Sequence, residues 1–239
     1  MSKTTIITGA GTGIGQGIAI AFANAGYQLV LAGRRIEPLE ETAKNCGGTN
    51  IQIVATDVTD RNAVQLLAQK TIDTFGSIDV LINNAGINTQ KRNLDDISDE
   101  DWDRVININL TGAFNAFRAV RSQMKKQKDG VVINIASMAG KKAGTLGGAA
   151  YSASKFGMAS LTQSINAEFR DSGIRACCIY PGEVDTPILD HRPIPVSAEK
   201  RAAALLPEDV AAAALMVAQL HNRAIVEELT IFPRRVVSK

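Results

Sequence analysis

The residues whose types and spacing point most directly to chemistry are Tyr151 and Lys155, four positions apart. On a helix this spacing places a phenol and an ammonium on one face, one turn apart. Ionising a tyrosine at pH 7 requires about three pKa units, or roughly 4 kcal/mol. A cation about 4 Å away in partly screened surroundings supplies energy of that order. The pair could therefore exchange protons near neutral pH, although such pairs are also common on helices without a chemical role.

A helix is predicted around this pair, because apolar residues continue at roughly helical spacing to Phe169 without a proline. The apolar run 131–135 is typical of a buried strand and delivers Ser137 at its end. A glycine-rich loop over residues 140–148 then returns the chain to Tyr151. Ser137 and Tyr151 are therefore expected at neighbouring positions of one site.

A second group of candidate residues follows the β-branched run Thr4–Thr8, which is typical of a buried strand. Gly9, Gly13 and Gly15 form the pattern G-x-x-x-G-x-G, and an alanine- and isoleucine-rich helix comes next. This arrangement offers backbone N–H groups and a helix N-terminus to a pyrophosphate. A glycine-rich turn alone is a weak signal, and the apolar run also resembles a signal peptide. Because glycines interrupt that run, we expect a cytoplasmic protein.

The predicted second strand, over residues 28–32, ends in Gly33, Arg34 and Arg35. A NAD site usually places an acidic residue at this strand end to bind the ribose 2′-hydroxyl. Arginine instead suits a 2′-phosphate, because its guanidinium presents a fork of donors. The alternative is that the two arginines are simply solvated at the start of a helix, where the helix dipole does not stabilise a cation. We favour phosphate recognition, and therefore NADP(H) over NAD(H), with NAD(H) still possible.

Predicted strands and helices alternate along the chain, with strands at Ile78–Ile82 and Val226–Ile231 among them. This alternation favours an α/β protein with a parallel sheet covered on both faces. Ligands of such sheets bind beyond the carboxyl ends of the strands. Polar or glycine-rich clusters follow the predicted strands at Gly9–Gly15, Gly33–Arg35, Asp57, residues 83–86, Ser137 and residues 181–186. The sequence therefore predicts one ligand site along this edge of the sheet.

A long amphipathic helix is predicted from about Asp99 to Lys126, with Ser98 as its cap. Asn107 and Asn109 lie inside it among apolar neighbours. A buried asparagine is destabilising unless it is hydrogen-bonded, so we expect one of them to have a specific partner.

Composition narrows the possible functions. A net charge of +2 over 239 residues gives no electrostatic argument for nucleic acid or an anionic membrane as a partner. Three cysteines and two separated histidines suggest neither a disulfide framework nor a metal site. No apolar stretch approaches the roughly 20 residues that a membrane span needs. The length fits one α/β domain, or at most two small ones.

Taken together, these residues resemble the short-chain dehydrogenase/reductase family over nearly the whole chain. The motifs that match are the T-G-x-x-x-G-x-G loop at residues 8–15, the N-N-A-G segment at 83–86, and Tyr151 with Lys155 in a Y-x-x-x-K spacing. Their combination is highly specific. The resemblance implies a single Rossmann domain over residues 1–239, with a doubly wound parallel seven-stranded sheet, helices on both faces and a substrate lid at about 187–206.

The resemblance also implies a site. The implied catalytic tetrad is Asn109, Ser137, Tyr151 and Lys155. Implied cofactor contacts come from Gly9, Thr12, Gly13, Ile14, Gly15, Gly33, Arg34, Arg35, Asp57, Val58, Asn84, Ala85, Gly86, Tyr151, Lys155, Pro181, Gly182, Val184 and Thr186. In these roles Tyr151 is the general acid or base, Ser137 orients the substrate oxygen, Lys155 lowers the pKa of Tyr151, and Asn109 holds a water behind Lys155.

The implied function is an NADP(H)-dependent oxidoreductase that interconverts an alcohol and a carbonyl on a small molecule. The alternative is an NADP(H)-sensing regulatory or binding protein on the same fold. The resemblance further implies a homodimer or homotetramer. Two of the predicted helices carry apolar residues beyond one stripe, namely Phe114, Phe117, Met158, Leu161 and Phe169.

The spacing from Ser137 to Tyr151 is one residue longer than the commonest in the family, so the loop 140–148 is expected to bulge beside the substrate. A short, proline-containing lid favours a small polar substrate.

Overall fold

The computed structural model describes residues 2–47 and 50–234. Seven parallel strands form one sheet in the order β3-β2-β1-β4-β5-β6-β7. The strands are β1 Thr4–Thr8, β2 Gln28–Gly33, β3 Ile51–Ala55, β4 Val80–Asn83, β5 Gly130–Ile135, β6 Ile174–Pro181 and β7 Glu228–Ile231. The helices are α1 Gly13–Asn24, α2 Ile36–Asn45, α3 Arg61–Phe75, α4 Asp99–Ile106, α5 Gly112–Gln127, α6 Ala149–Phe169, α7 Ala198–Ala203 and α8 Pro207–Gln219. The doubly wound parallel sheet predicted from the sequence is confirmed.

Two apolar clusters cover the two faces of this sheet. Ile18 and Phe22 of α1 pack on one face with Val210 of α8. Val64 of α3, Phe117 of α5 and Ile165 of α6 pack on the other. The central strands are buried on both sides, which explains their continuous apolar sequences. Because the strands are parallel, their carboxyl ends lie at one common edge of the sheet, where loops meet.

The helix predicted from Asp99 to Lys126 is divided by a π-helical turn at Asn107–Thr111. Its predicted start is confirmed, since the Ser98 hydroxyl accepts a hydrogen bond from the backbone N–H of Asp101 at 3.1 Å. A π-helical turn contains one more residue than an α-helical turn, and such turns are frequent at functional sites. Here it contains Asn109, whose buried side chain bonds outside its own helix. The spacing of the apolar residues does not indicate this insertion.

Two strand starts were predicted too early, and a short helix was missed. The strand expected from Ile78 begins at Val80, because the Gln127 side chain bonds both the N–H and the carbonyl of Ile78 at 3.0 Å. The strand expected from Val226 begins at Glu228. The lid segment 187–206 contains the helix α7, capped by the Ser197 hydroxyl.

The apolar residues expected to extend two helix surfaces divide between core and surface. Phe117 and Met158 are buried at 5% and 0% exposure, so they belong to the core. Phe114 is 39% exposed, and Phe156, which was not among the expected residues, is 43% exposed. The expected domain boundaries 1–239 include residues 1, 48–49 and 235–239, which lie outside the described residues. Within the described ranges, no helix is long and apolar enough to cross a membrane.

Candidate active site

A cleft of about 1190 Å³ runs along the carboxyl ends of the strands. It is lined by every residue that the sequence assigned to the tetrad or the cofactor site, except Gly15 and Asn109. The lining residues among them are Gly9, Thr12, Gly13, Ile14, Gly33, Arg34, Arg35, Asp57, Val58, Asn84, Ala85, Gly86, Ser137, Tyr151, Lys155, Pro181, Gly182, Val184 and Thr186. Gly15 and Asn109 are buried behind the cleft wall, where they position residues that do line it.

The glycine loop is shaped by backbone conformations that other residues rarely adopt. Gly9 and Gly13 have φ values of +65° and +56°, in the left-handed region that glycine occupies without strain. At Gly15 a Cβ atom would lie 2.2 Å from the carbonyl oxygen of Gly9, so only glycine fits. Thr12, at the N-cap of α1, makes no side-chain capping bond, and the first turn carries no acid. The N-terminus of α1 is thus open to an anionic ligand in the cleft.

Thr8 and Asn84 hold this loop against the strand β4. The Thr8 hydroxyl accepts hydrogen bonds from the backbone N–H groups of Asn84 and Ala85, both at 3.1 Å. The Asn84 side-chain amide donates to the carbonyls of Thr8 and Gly9, both at 3.0 Å. The N-N-A-G segment therefore fixes the position of the glycine loop from the neighbouring strand.

Arg34, Arg35 and Asp57 lie together at the ends of β2 and β3. Both arginines are exposed in the cleft, and no acidic residue occupies positions 33–35. Burial acts to raise the pKa of Asp57, but hydrogen bonds from Thr59 and the nearby Arg34 charge outweigh it and lower the pKa. The Asp57 carboxylate accepts from the Thr59 N–H at 2.9 Å and from its hydroxyl at 2.7 Å. Asp57 is therefore ionised, oriented and close to a guanidinium.

Tyr151 and Lys155 lie on α6, with the Lys155 ammonium nitrogen 5.5 Å from the centre of the Tyr151 ring. Burial raises the pKa of Tyr151, opposed by a hydrogen bond with the Ser137 side chain. Burial also lowers the pKa of Lys155 to about 8. The Lys155 ammonium donates to the carbonyl of Ile135 at 2.8 Å and lies 3.4 Å from the Met158 sulfur. Ser137, Tyr151 and Lys155 thus form one cluster at the end of β5.

Asn109 supports this cluster from behind. Its side-chain oxygen accepts from the Ile87 N–H at 2.8 Å, and its amide donates to the Ile87 carbonyl at 3.0 Å. The amide also donates to the Ser154 hydroxyl on α6 at 3.1 Å. The expectation of a specific partner for one mid-helix asparagine is met by Asn109, which ties the loop after β4 to the helix that carries Tyr151.

The charges that lower the pKa of Tyr151 in the structure are those of Arg92 and Arg192 rather than Lys155, although burial outweighs them. Arg92 was not among the expected site residues, because the segment 88–96 reads as a polar loop in which one arginine looks like a solvated charge. It is nevertheless only 5% exposed. A role for Lys155 in tuning Tyr151 stays a prediction.

The lid closes one side of the cleft through its own ion pairs. Arg192 donates to Glu183 at 3.0 Å, and Arg201 bonds to both Asp185 and Asp190. A Cβ on Gly13 would lie 3.2 Å from the Thr186 side chain, so the base of the lid rests on the glycine loop. The cleft is therefore continuous from the glycine loop to Tyr151.

This geometry fits a nicotinamide dinucleotide. It combines a glycine loop at an open helix N-terminus, basic residues where an adenosine ribose would lie, and a tyrosine, serine and lysine at the far end. The geometry therefore defines a class of protein, one that binds a dinucleotide and holds a tyrosine, a serine and a lysine in the same cleft.

Comparisons with known proteins identify the family. A family model described as short chain dehydrogenase matches residues 3–194. An uncharacterized oxidoreductase of Staphylococcus saprophyticus is 37% identical over 237 residues, covering 97% of each chain. The chain belongs to the short-chain dehydrogenase/reductase family and is an oxidoreductase of that family.

Solved structures of relatives carry nicotinamide cofactors. An alcohol dehydrogenase from the archaeon Thermococcus sibiricus, complexed with 5-hydroxy-NADP, superposes with a TM-score of 0.88 at 27% identity and covers 100% of both chains. A 3-ketoacyl-(acyl-carrier-protein) reductase from Brucella melitensis, complexed with NADH, gives 0.86 at 27% identity, with 98% of each chain covered. These neighbours support a nicotinamide cofactor and do not separate NADP(H) from NAD(H).

Proposed function

We propose that the protein is an NADP(H)-dependent oxidoreductase that interconverts an alcohol and a carbonyl on a small molecule. The observation that carries this proposal is the single cleft in which Ser137, Tyr151 and Lys155 face the same space as the glycine loop and Arg34. A purely binding protein needs the loop and the basic residue but has no use for the proton-transfer cluster. No observation favours the sensing alternative.

In this proposal Tyr151 gives a proton to the carbonyl oxygen in reduction and takes it from the alcohol in oxidation. Ser137, whose side chain acts to lower the pKa of Tyr151, orients the same substrate oxygen. Lys155, with its pKa lowered to about 8, can release and regain a proton near physiological pH. Asn109 keeps the helix of Tyr151 in register with the loop after β4. The nicotinamide, when bound, supplies or accepts the hydride.

The preference for NADP(H) rests on Arg34 and Arg35, which occupy the strand end where NAD-binding proteins usually carry an acid.

A cytoplasmic location and a single domain over the whole chain are further parts of the proposal. So is a homodimer or homotetramer, because Phe114 and Phe156 are exposed aromatic residues on α5 and α6. Sedimentation should show a species larger than the 25.4 kDa chain, and only monomer at micromolar concentration would contradict the oligomer.

Replacing Tyr151 by Phe tests the proposed chemistry. Loss of general acid catalysis should lower kcat on a carbonyl substrate by about 10²- to 10⁴-fold, while the dissociation constant for NADPH changes little. Tyr27→Phe is the matched control, because the same hydroxyl is removed from a tyrosine packed against Phe22, away from the cleft. Unaltered turnover in Tyr151→Phe would contradict the role of Tyr151, whereas a wild type that binds NADPH but turns over no carbonyl substrate would revive the sensing alternative.

A further inference from the structure

Arg92 is a buried cation that the proposed chemistry leaves without a role. It lies in the loop after β4, lines the cleft and is 5% exposed. One terminal nitrogen, Nη1, donates to the Leu146 carbonyl at 3.0 Å, and the other, Nη2, donates to the His191 carbonyl at 2.8 Å. Its Nε is buried and has no hydrogen-bond partner in the described part of the chain. A buried guanidinium with an unsatisfied donor is destabilising, so its position in the wall of a ligand cleft indicates a functional role.

The position of Arg92 relative to Tyr151 is fixed by the start of α6. At Gly148, with φ +77°, a Cβ atom would lie 2.6 Å from both the Cβ and the carbonyl oxygen of Arg92. The N–H of Ala149 donates to that same carbonyl at 3.2 Å. The start of the helix that carries Tyr151 therefore packs directly on the backbone of Arg92. A residue larger than glycine would not fit at position 148.

A second guanidinium, that of Arg192 in the lid, lines the same cleft. Burial lowers the pKa of Arg92 and the Arg192 charge lowers it further, while both arginine charges act against the burial that raises the pKa of Tyr151. Glu183 pairs with Arg192 at 3.0 Å, and no carboxylate pairs with Arg92 among the described residues. The buried charge of Arg92 therefore has no carboxylate partner of its own in the described structure, which is unfavourable unless an anion joins it.

We propose that Arg92 and Arg192 form an anion subsite beside Tyr151, and that the substrate is a small hydroxy acid or oxo acid. A carboxylate would compensate this charge, and its two oxygens match the donor fork of a guanidinium. The remaining Nη–H donors of Arg92 and Arg192 can bond to the two oxygens of a carboxylate. This inference rests on the proposed function for its chemistry, while the subsite itself rests on the arginine geometry.

The first test compares short 2-oxo and 3-oxo acids with their methyl esters as substrates for NADPH oxidation. The wild-type kcat/KM should favour the acids by about tenfold or more, the effect of one charge-assisted hydrogen bond. Arg192→Gln should lower this acid-to-ester ratio about tenfold. Arg170→Gln, which removes the same charge from an exposed pair with Glu227 outside the cleft, is the matched control and should keep the ratio.

The second test measures binding without turnover, by calorimetric titration of malonate into the protein loaded with NADP⁺. Malonate should bind the wild type and should bind Arg192→Gln about tenfold more weakly. Arg92→Lys, which keeps the charge but not the guanidinium fork, tests Arg92 itself. An equal loss of acid and ester turnover in Arg92→Lys, with malonate affinity unchanged, would show that Arg92 only connects the loops.

The two tests separate failure of the subsite from failure of the proposed function. Esters turned over as fast as acids, or no malonate binding to the wild type, would overturn the anion subsite and leave an NADPH-dependent enzyme. Malonate binding that depends on Arg192, without NADPH oxidation on any carbonyl compound, would keep the subsite and overturn the proposed function.

Discussion

The two ends of the cleft differ in what holds them in place. At the cofactor end, residues 8–15 and 83–86 are fixed by backbone conformation and by hydrogen bonds between adjacent strands. At the substrate end, three loops meet around Arg92, and side chains connect them: Arg92 reaches Leu146 and His191, and Asn88 donates to the Gly147 carbonyl at 2.9 Å. An end built from backbone conformation can bind the same ligand in many proteins, because it tolerates changes of side chain. An end built from side-chain contacts on loops can differ from one protein to another with the substrate.

The largest effect expected at the cofactor end comes from Gly13→Val. A valine at φ +56° is strained by about 1–2 kcal/mol, and its side chain would press on Thr186, which a Cβ already approaches to 3.2 Å. Loss of two charge-assisted bonds to a pyrophosphate should weaken NADPH and NADH binding alike by roughly 100-fold or more. Fluorescence titration with both cofactors measures this.

The matched change at the substrate end is Gly144→Val. Nothing lies within 4 Å of a Cβ at Gly144, and its φ lies outside the left-handed region. This variant should keep its affinity for both cofactors. If Gly13→Val bound them as well as Gly144→Val does, the cofactor end would not depend on its backbone as described.

A side chain at the cofactor end should give a smaller and more selective effect. Arg34→Ala removes donors that only the 2′-phosphate of NADPH can use, so NADPH binding should weaken by roughly 30- to 100-fold. NADH binding should change less than about threefold, because no contact with its ribose is proposed for Arg34. Parallel titrations of Arg35→Ala show which guanidinium carries the preference. Equal losses for the two cofactors would refute the assignment.

The same contrast explains what could be predicted from the sequence. Gly9, Gly13 and Gly15 are required by backbone geometry, so their spacing between a strand and a helix indicates the loop. Arg92 carries no such signature, because its burial depends on contacts with Leu146 and His191, 54 and 99 residues away.

The π-turn at Asn107–Thr111 was missed for a related reason. Apolar spacing predicts one uninterrupted helix, while the insertion serves the bonds that Asn109 makes to Ile87 and Ser154, on two other elements. The strand start at Val80 likewise depends on Gln127, far away in sequence. Local sequence patterns therefore predict where helices and strands form. Contacts with residues distant in sequence determine where those helices and strands are interrupted and where they end.

Lys155 lies where the two ends of the cleft meet, and its replacement by Met should have the smallest effect, on stability. Burial lowers its pKa from 10.5 to about 8, so between these values the unfolded chain holds a proton that the folded chain has released. The penalty for burying the charge is therefore fully present below pH 8 and disappears as the pH rises toward 10.5. It amounts to at most about 3 kcal/mol, and the lost hydrogen bond to the Ile135 carbonyl offsets about 1 kcal/mol of the gain from removing it.

Lys155→Met should accordingly be more stable than the wild type by about 1–2 kcal/mol at pH 7, although it loses the proton-transfer group. Chemical denaturation of both proteins at a series of pH values measures the difference in their free energies of unfolding. Groups common to both proteins cancel in that difference, which should shrink between pH 8 and 10.5 as the wild-type lysine loses its proton. A difference that stays constant across this range would mean that the buried lysine keeps an ordinary pKa, and that the substrate end tolerates its charge without strain.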